Sequence, residues 1–290
     1  MEKKGKVQFF KLQASGNDFI LIKAAGRKSQ AAGLNYNKFA KRYCKRRFGV
    51  GADGLLVIEP SKKALFKMRI FNPDGSEAEM CGNGARCTAL WAARNLEKKA
   101  KSIKFDTRAG IIEAKVSSHK VKGKAGNYAD VKVKFSKVYN MRLNLPITIF
   151  SRRVKVNYIN TGVPHSVIFV EGLDKINVEE IGRRIRFHKT FGPDGTNVDF
   201  VEIIKDNLIA IRTYERGVES ETFACGTGVV AAAIITSHKL QVTSHKFKIK
   251  VMTRGGEMLK VHFTKNDGRI TDVWLEGKAY SVYNGQINTD

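Results

Sequence analysis

Cys81-Gly-Asn-Gly-Ala-Arg-Cys-Thr-Ala-Leu-Trp-Ala-Ala-Arg94 and Cys225-Gly-Thr-Gly-Val-Val-Ala-Ala-Ala-Ile-Ile235 open alike: a cysteine, a Gly-x-Gly, then an Ala-rich apolar run. Each reads as a helix that is apolar on every side and therefore buried, starting at its glycines. The likeness continues upstream. Phe48-Gly49 precedes Cys81 by the same interval, to within one position, as Phe191-Gly192 precedes Cys225. An acid follows each Phe at an identical spacing, Glu59 after Phe48 and Glu202 after Phe191. Arg69 and Arg212 stand before their cysteines at spacings that again differ by a single position. Gly16-Asn-Asp-Phe-Ile-Leu-Ile is echoed more weakly by Gly162-Val-Pro-His-Ser-Val-Ile-Phe-Val. So many matches in one order indicate a duplication with a long period, not a solenoid repeat.

Outside these helices, short branched or aromatic runs dominate, bounded by Gly, Asn or Asp. Val7–Leu12, Phe19–Lys23, Leu55–Glu59, Phe66–Phe71, Val131–Phe135, Val167–Val170, Val198–Ile203, Leu208–Tyr214 and Phe247–Val251 are predicted strands. Tyr36–Phe48, capped by Asn35 or Asn37, and Glu179–His188 are predicted amphipathic helices. The fold class is α/β (α+β): two pseudo-symmetric halves, each a mixed or antiparallel sheet or barrel wrapped around a central helix. The seam is placed near the Lys/Gly-rich stretch Ser117–Asn127, a hairpin or linker. Gly49-Val-Gly-Ala-Asp-Gly54 fits G-x-G-x-x-G, but a helix precedes it and a strand follows. That order is the reverse of a dinucleotide fingerprint, so a tight turn is expected instead.

Composition narrows the classes. The 290 residues are 42% hydrophobic, enough for one large core or two ordinary ones. The first residues lack a signal-peptide pattern, and no apolar run is long enough to span a membrane. A cytoplasmic protein is expected. Four cysteines, none as C-x-x-C and none with finger-type histidines, exclude a disulfide framework and a structural zinc site. Lys plus Arg outnumber Asp plus Glu by 52 to 27, giving +25. The basic residues are dispersed, with no basic tail and no aromatic-basic motif. A solvated surface is expected rather than a specific nucleic-acid partner.

A cysteine before Gly-x-Gly at a helix start is chemically distinctive. The helix N-terminus offers unpaired backbone N–H groups and about half a positive charge, which suits a carboxylate. The glycines allow close approach. The same field is expected to lower a thiol pKa. Two such ends, each with a sulfur, suit proton exchange at the carbon beside a carboxylate. One thiolate takes the α-proton, and a thiol returns a proton to the opposite face. Converging N–H groups stabilise the enolate-like carbanion. Cys44 and Cys87 lack that context and read as buried structural thiols.

These residues resemble the diaminopimelate epimerase family over nearly the whole chain. The matching stretches are Ser15-Gly-Asn-Asp-Phe19, Phe48-Gly-Val-Gly-Ala-Asp-Gly54, Phe71-Asn-Pro-Asp-Gly-Ser-Glu77, Met80-Cys-Gly-Asn-Gly-Ala-Arg-Cys87, Gly162-Val-Pro-His165, Gly195-Thr-Asn197, Tyr214-Glu-Arg-Gly217 and Ala224-Cys-Gly-Thr-Gly228. The resemblance implies interconversion of LL- and meso-diaminopimelate in lysine and cell-wall synthesis, without pyridoxal phosphate, other cofactor or metal. It implies two α/β halves with the site in the cleft between them, residues 1–125 plus about 272–290 and residues 126–271, and a homodimer. Residue by residue, it makes Cys81 and Cys225 the catalytic pair. Gly82, Asn83, Gly226 and Thr227 would hold the reacting carboxylate. Asn17, Asn72, Asn197 and Arg216 would bind substrate, Glu215 would touch substrate and influence the cysteines, and His165 would tune thiol ionisation. Each has a plainer reading: turn residues for the asparagines, an exposed ion pair for Glu215 and Arg216, a loop histidine for His165. Val163 stands where many members have Asn, and Gly54 where some have Gln, which implies a relaxed substrate range. Proline racemases and hydroxyproline epimerases share the two cysteines but need no Arg216. Phenazine-type isomerases share the duplication but lack the paired thiols.

Overall fold

The computed structural model describes residues 5–24, 31, 33–96, 102–121, 124–135, 138–240, 244–266 and 268–289. In chain order the elements are β1 (Gly5–Ala14), β2 (Asn17–Lys23), α1 (Tyr36–Tyr43), β3 (Gly54–Glu59), β4 (Lys67–Phe71), β5 (Glu77–Ala78), α2 (Gly82–Asn95), β6 (Ile103–Thr107), β7 (Gly110–Val121), β8 (Lys124–Lys134), β9 (Tyr139–Ile149), β10 (Arg152–Asn160), β11 (Pro164–Phe169), α3 (Val178–Arg186), β12 (Asn197–Lys205), β13 (Leu208–Glu215), β14 (Ser220–Thr222), α4 (Gly226–Lys239), β15 (Lys246–Met252), β16 (Met258–Asn266) and β17 (Arg269–Thr289). Contacts divide the chain into two units, Met1–Val133 with Gly277–Asp290, and Lys134–Glu276.

In the first unit the strands pair in the order β1–β2–β3–β4–β6–β7–β8–β17, and β17 pairs back onto β1. The result is a closed eight-stranded barrel, which leaves no open edge. Alternation along β3 explains its two faces. Leu56 and Ile58 point to the core around α2, whereas Leu55 and Val57 pack with Phe39 and Ala40 of α1. Helix α2 is buried from Asn83 to Ala92, as its all-round apolar sequence requires.

In the second unit the order is β9–β10–β11–β12–β13–β15–β16–β17. It repeats the first unit's plan. The parallel pairs β2–β3 and β4–β6 have counterparts in β11–β12 and β13–β15. Helix α4, buried from Gly228 to Ser237, sits in a core with Val201, Ile209 and Ile211. On the sheet's other face α3 lays Ile185 against Val198, Phe200 and Tyr214.

Helix α1 is capped by Asn35, whose side chain accepts from the Lys38 N–H. It stops at Tyr43, not at Phe48. The chain curls back there: Gly51 N–H donates to the Tyr43 carbonyl and Ala52 N–H to that of Cys44. Lys11 and Arg46 clamp the same loop through Asp18 and Asp53, and Lys11 also donates to the Gly51 carbonyl. The G-x-G-x-x-G segment is therefore a turn entering β3, with Gly51 at φ +76°. Ser117–Asn127 falls in the β7–β8 hairpin rather than in a linker. Positions 122 and 123 lie outside the described residues.

Candidate active site

Both cysteines occupy the N-cap of the buried helix of their unit. Cys81 is extended (φ −141°, ψ 122°), and its Sγ accepts from the Gly84 N–H at 3.5 Å. Cys225 is extended as well (φ −106°, ψ 109°). Hairpins hold both helix starts. Ser15 and Gly16 form the β1–β2 turn at φ 55° and 77°, matching a two-residue hairpin with left-handed central residues. The Ser15 hydroxyl accepts from Arg86 of α2, which also donates to Asn83 Oδ1 at 2.6 Å. At the equivalent turn of the second unit, Thr161 Oγ1 donates to the Thr227 carbonyl at 3.0 Å. The duplication extends to ion pairs. Arg69 grips Glu77 and Arg212 grips Glu221, each acid at the same spacing before its cysteine.

The two sulfurs differ in surroundings. Cys81 is half-buried and packs against the apolar core of its unit. Cys225 is 8% exposed and lies 3.3 Å from Thr227 Oγ1. Thr227 Oγ1 is 2.9 Å from His165 Nε2, and His165 Nδ1 is 2.7 Å from Asp199 Oδ2. Asp199 Oδ1 accepts from Thr213 Oγ1 at 2.8 Å. His165 and Asp199 are wholly buried. Burial pushes the Cys225 thiol pKa well up, and the charges of Glu215 and Asp199 push it the same way. Burial and the two carboxylates thus act against the helix-terminus effect expected from the sequence, while the Thr227 hydroxyl and the Gly228 N–H act with it. Burial also pushes the Glu215 carboxyl upward.

The remaining residues divide by unit. In the first, Asn17 carries a buried Oδ1 with no hydrogen-bond partner among the described residues. Asn83 is buried beside Arg86. Asn72 is exposed in the β4–β5 turn, where its Nδ2 donates to Ser76 Oγ at 2.9 Å. Gly82 opens α2. In the second, Asn197 is a brace: Nδ2 donates to the Pro164 carbonyl and Oδ1 accepts the Arg216 N–H, both at 2.8 Å. The Arg216 guanidinium, half-buried, makes no ion pair or hydrogen bond among the described residues. Glu215 ends β13 near His165 and Cys225, and Gly226 opens α4. His165 lies in strand β11, not in a loop. Asp199 and Thr213 went unread in the sequence. The signal was there: Asp199 breaks an apolar strand at a core-facing position.

Among the described residues no cluster of three or more His, Cys, Asp or Glu could hold a metal ion. No helix of the described residues is long and apolar enough to cross a membrane. None of the four cysteines forms a disulfide.

The comparisons with known proteins agree with one another. The diaminopimelate epimerase family model matches residues 9–131 and 157–281. A diaminopimelate epimerase of Aquifex aeolicus is 40% identical over 291 residues, covering 98% of this chain and 99% of that protein. One of Archaeoglobus fulgidus is 37% identical over 294 residues, covering 97% and 96%. Among solved structures, a Bacillus anthracis phenazine biosynthesis protein of the PhzF family has a TM-score of 0.69 at 16% identity, covering 98% of this chain and 100% of that one. A hydroxyproline epimerase of Agrobacterium vitis, with bound trans-4-hydroxy-L-proline, has a TM-score of 0.69 at 16% identity, covering 100% and 93%. The last two share the fold. The family model and the near-full-length relatives go further: this chain belongs to the diaminopimelate epimerase family.

Proposed function

We propose that this chain interconverts LL- and meso-2,6-diaminopimelate by a two-base mechanism in which Cys81 and Cys225 are the acid and base. The observation that carries the reading is the pair of N-cap cysteines, each followed by Gly-x-Gly at the start of a buried helix. Family membership supplies the substrate. One sulfur, as thiolate, removes the α-proton, and the electron pair left on carbon delocalises into the α-carboxylate. The other sulfur, as thiol, delivers its proton to the opposite face, so configuration inverts. The backbone N–H groups at Gly82–Asn83 and Gly226–Thr227 bind the carboxylate as its charge grows.

Arg216 pairs with a carboxylate of the substrate, since its guanidinium has no anionic partner among the described residues. Asn17, with its unpartnered Oδ1, takes a substrate ammonium group. Asn72 and Asn197 complete the substrate contacts, and His165 with Glu215 sets the ionisation of Cys225. No pyridoxal phosphate or metal takes part. The two units serve as the two homologous halves, and the enzyme works in the cytoplasm as a homodimer, which sedimentation at twice the chain mass checks.

The test is incubation of LL-diaminopimelate in heavy water with the parent protein, Cys81→Ser and Cys225→Ser. The parent places deuterium at the α-carbon with inversion. Each variant loses roughly 10²-fold or more of that rate, the scale of a positioned proton-transfer group. Full activity in either variant ends the two-base reading.

A further inference from the structure

The duplicated plan provides a control inside the same chain. In the first unit Phe19 of β2 pairs with Gly54 of β3; in the second His165 of β11 pairs with Asn197 of β12. Two positions along the second strand of each pair stand Leu56 and Asp199. Both lie beneath the third residue of the buried helix. A Cβ at Gly84 would meet Leu56 at 3.1 Å and Phe19 at 3.7 Å. A Cβ at Gly228 would clash with Asp199 Oδ1 and meet His165 Cε1 at 3.3 Å. The same strand–helix crossing is thus built once on Phe19 and Leu56, and once on His165 and Asp199. The apolar version shows that the fold does not require the polar one. Burying an ionisable pair completely is a poor way to gain stability over an apolar pair of similar volume.

We propose that Asp199 is a positioning residue that fixes His165 as its Nδ1–H tautomer and so makes His165 the proton partner of Cys225 through Thr227. This inference rests on the reading of Cys225 as an acid/base group. A carboxylate has only acceptors, and Asp199 uses one oxygen for the Thr213 hydroxyl and the other for His165 Nδ1–H. Neutral His165 then presents a lone pair at Nε2. That nitrogen accepts the Thr227 hydroxyl, whose oxygen accepts the Cys225 S–H. All donors point one way along the chain.

A concerted shift reverses them. The S–H bond of Cys225 breaks as an O–H bond forms at Thr227. The former Thr227 O–H bond breaks as an N–H bond forms at His165 Nε2. The products are a thiolate and an imidazolium, and no proton enters or leaves. The Asp199 carboxylate balances the imidazolium charge. Cys225 needs such help because burial, Glu215 and Asp199 all oppose its thiolate. In the first unit the equivalent positions hold Phe19 and Leu56, whose hydrocarbon side chains cannot carry a proton.

The test has two readouts. In protein labelled with ¹⁵N-histidine, the His165 signals, assigned by their loss in His165→Gln, report the Nδ1–H tautomer at neutral pH. In Asp199→Asn the amide nitrogen donates to Nδ1, and the signals move to the Nε2–H tautomer. In heavy water, Asp199→Asn lowers kcat with LL-diaminopimelate roughly 10²-fold and shifts the pH profile, with KM within about threefold. An Nε2–H tautomer in the parent protein overturns the inference, even if the variant does not fold. So does a folded Asp199→Asn with parental kcat and pH profile. A parent with the Nδ1–H tautomer but no α-deuteration would instead remove the epimerase reading and leave the Asp199 assignment standing.

Discussion

Adding one methyl group at Gly228, and one at Gly84 in parallel, separates the two helix starts energetically. Neither glycine has a positive φ, so alanine is allowed by the backbone at both. Alanine favours the helix over glycine by about 1 kcal/mol at interior positions, and by less in a first turn. At Gly84 the new Cβ meets Leu56 Cδ2 at 3.1 Å. That atom ends a flexible side chain, so overpacking costs about 1–2 kcal/mol. Set against the helix gain, the net change is about 0–1 kcal/mol. At Gly228 the new Cβ lands on Asp199 Oδ1 and lies 3.1 Å from its Cγ. The carboxylate must swing away from both Thr213 and His165. Breaking such a buried charged network costs about 3–5 kcal/mol, so Gly228→Ala loses about 2–4 kcal/mol net. Urea unfolding followed by tryptophan fluorescence measures this. The chain has two tryptophans, Trp91 in α2 of the first unit and Trp274 in β17 of the second. Trp91→Phe and Trp274→Phe backgrounds therefore report one unit each. Equal losses in the two alanine variants would refute the claim that a buried network underlies α4 and only apolar contact underlies α2.

Thiol reactivity and substrate range give two further checks. Iodoacetamide at neutral pH labels Cys81 first, because Cys44 and Cys87 are buried, burial pushes the Cys44 thiol up to about 12, and Cys225 is held as a thiol; mass spectrometry showing Cys44 or Cys87 modified as fast as Cys81 in the folded protein would contradict this. Val163 and Gly54 provide no side-chain amide, so turnover of glutamate is expected to approach that of diaminopimelate, and strict preference for diaminopimelate in a heavy-water exchange assay sinks the idea.

What the sequence disclosed was local or repeated. A cysteine before Gly-x-Gly and an Ala-rich run identify a buried helix start without knowledge of anything distant. The spacing of Arg69 and Arg212 marked equivalent positions before their ion pairs with Glu77 and Glu221 were seen. Strands whose outer face is solvated and lysine-rich were harder. Tyr139–Ile149 is mostly exposed and contains Pro146, so its sequence carries little of the alternation that marks a strand. Closure of the first barrel pairs Gly5–Gln13 with Tyr280–Thr289, a contact between the chain's two ends that no local pattern encodes. The end of α1 depends on Gly51 and Ala52 returning to the carbonyls of Tyr43 and Cys44, which is again non-local. The relay at Cys225 stayed hidden for a subtler reason. Leu56 and Asp199 hold equivalent positions in the duplication, but the difference between them has meaning only once Gly228 is seen to leave no room above Asp199.

That difference bears on how a duplicated protein runs an asymmetric reaction. A two-base epimerisation needs one thiol and one thiolate at each turnover, yet duplication starts from two identical sulfur environments. Here the environments have diverged at the two residues beneath each helix. Phe19 and Leu56 leave Cys81, half-buried, to the helix-terminus N–H groups. His165 and Asp199 give Cys225 an internal proton partner while burial opposes its ionisation. On the proposed reading, the resting protein therefore holds Cys225 as the acid. Its conversion to a base proceeds by moving a proton to His165, not by losing one to solvent. The direction in which Cys225 is the base then starts with both sulfurs as thiols, and the shift to His165 makes the thiolate without loss of a proton. The direction in which Cys225 is the acid starts with one proton fewer, Cys81 being the thiolate. If solvent were the proton acceptor instead, His165 and Asp199 would be a costly substitute for Phe19 and Leu56, and replacing the pair together, as His165→Phe with Asp199→Leu, would leave the rate intact while stabilising the second unit.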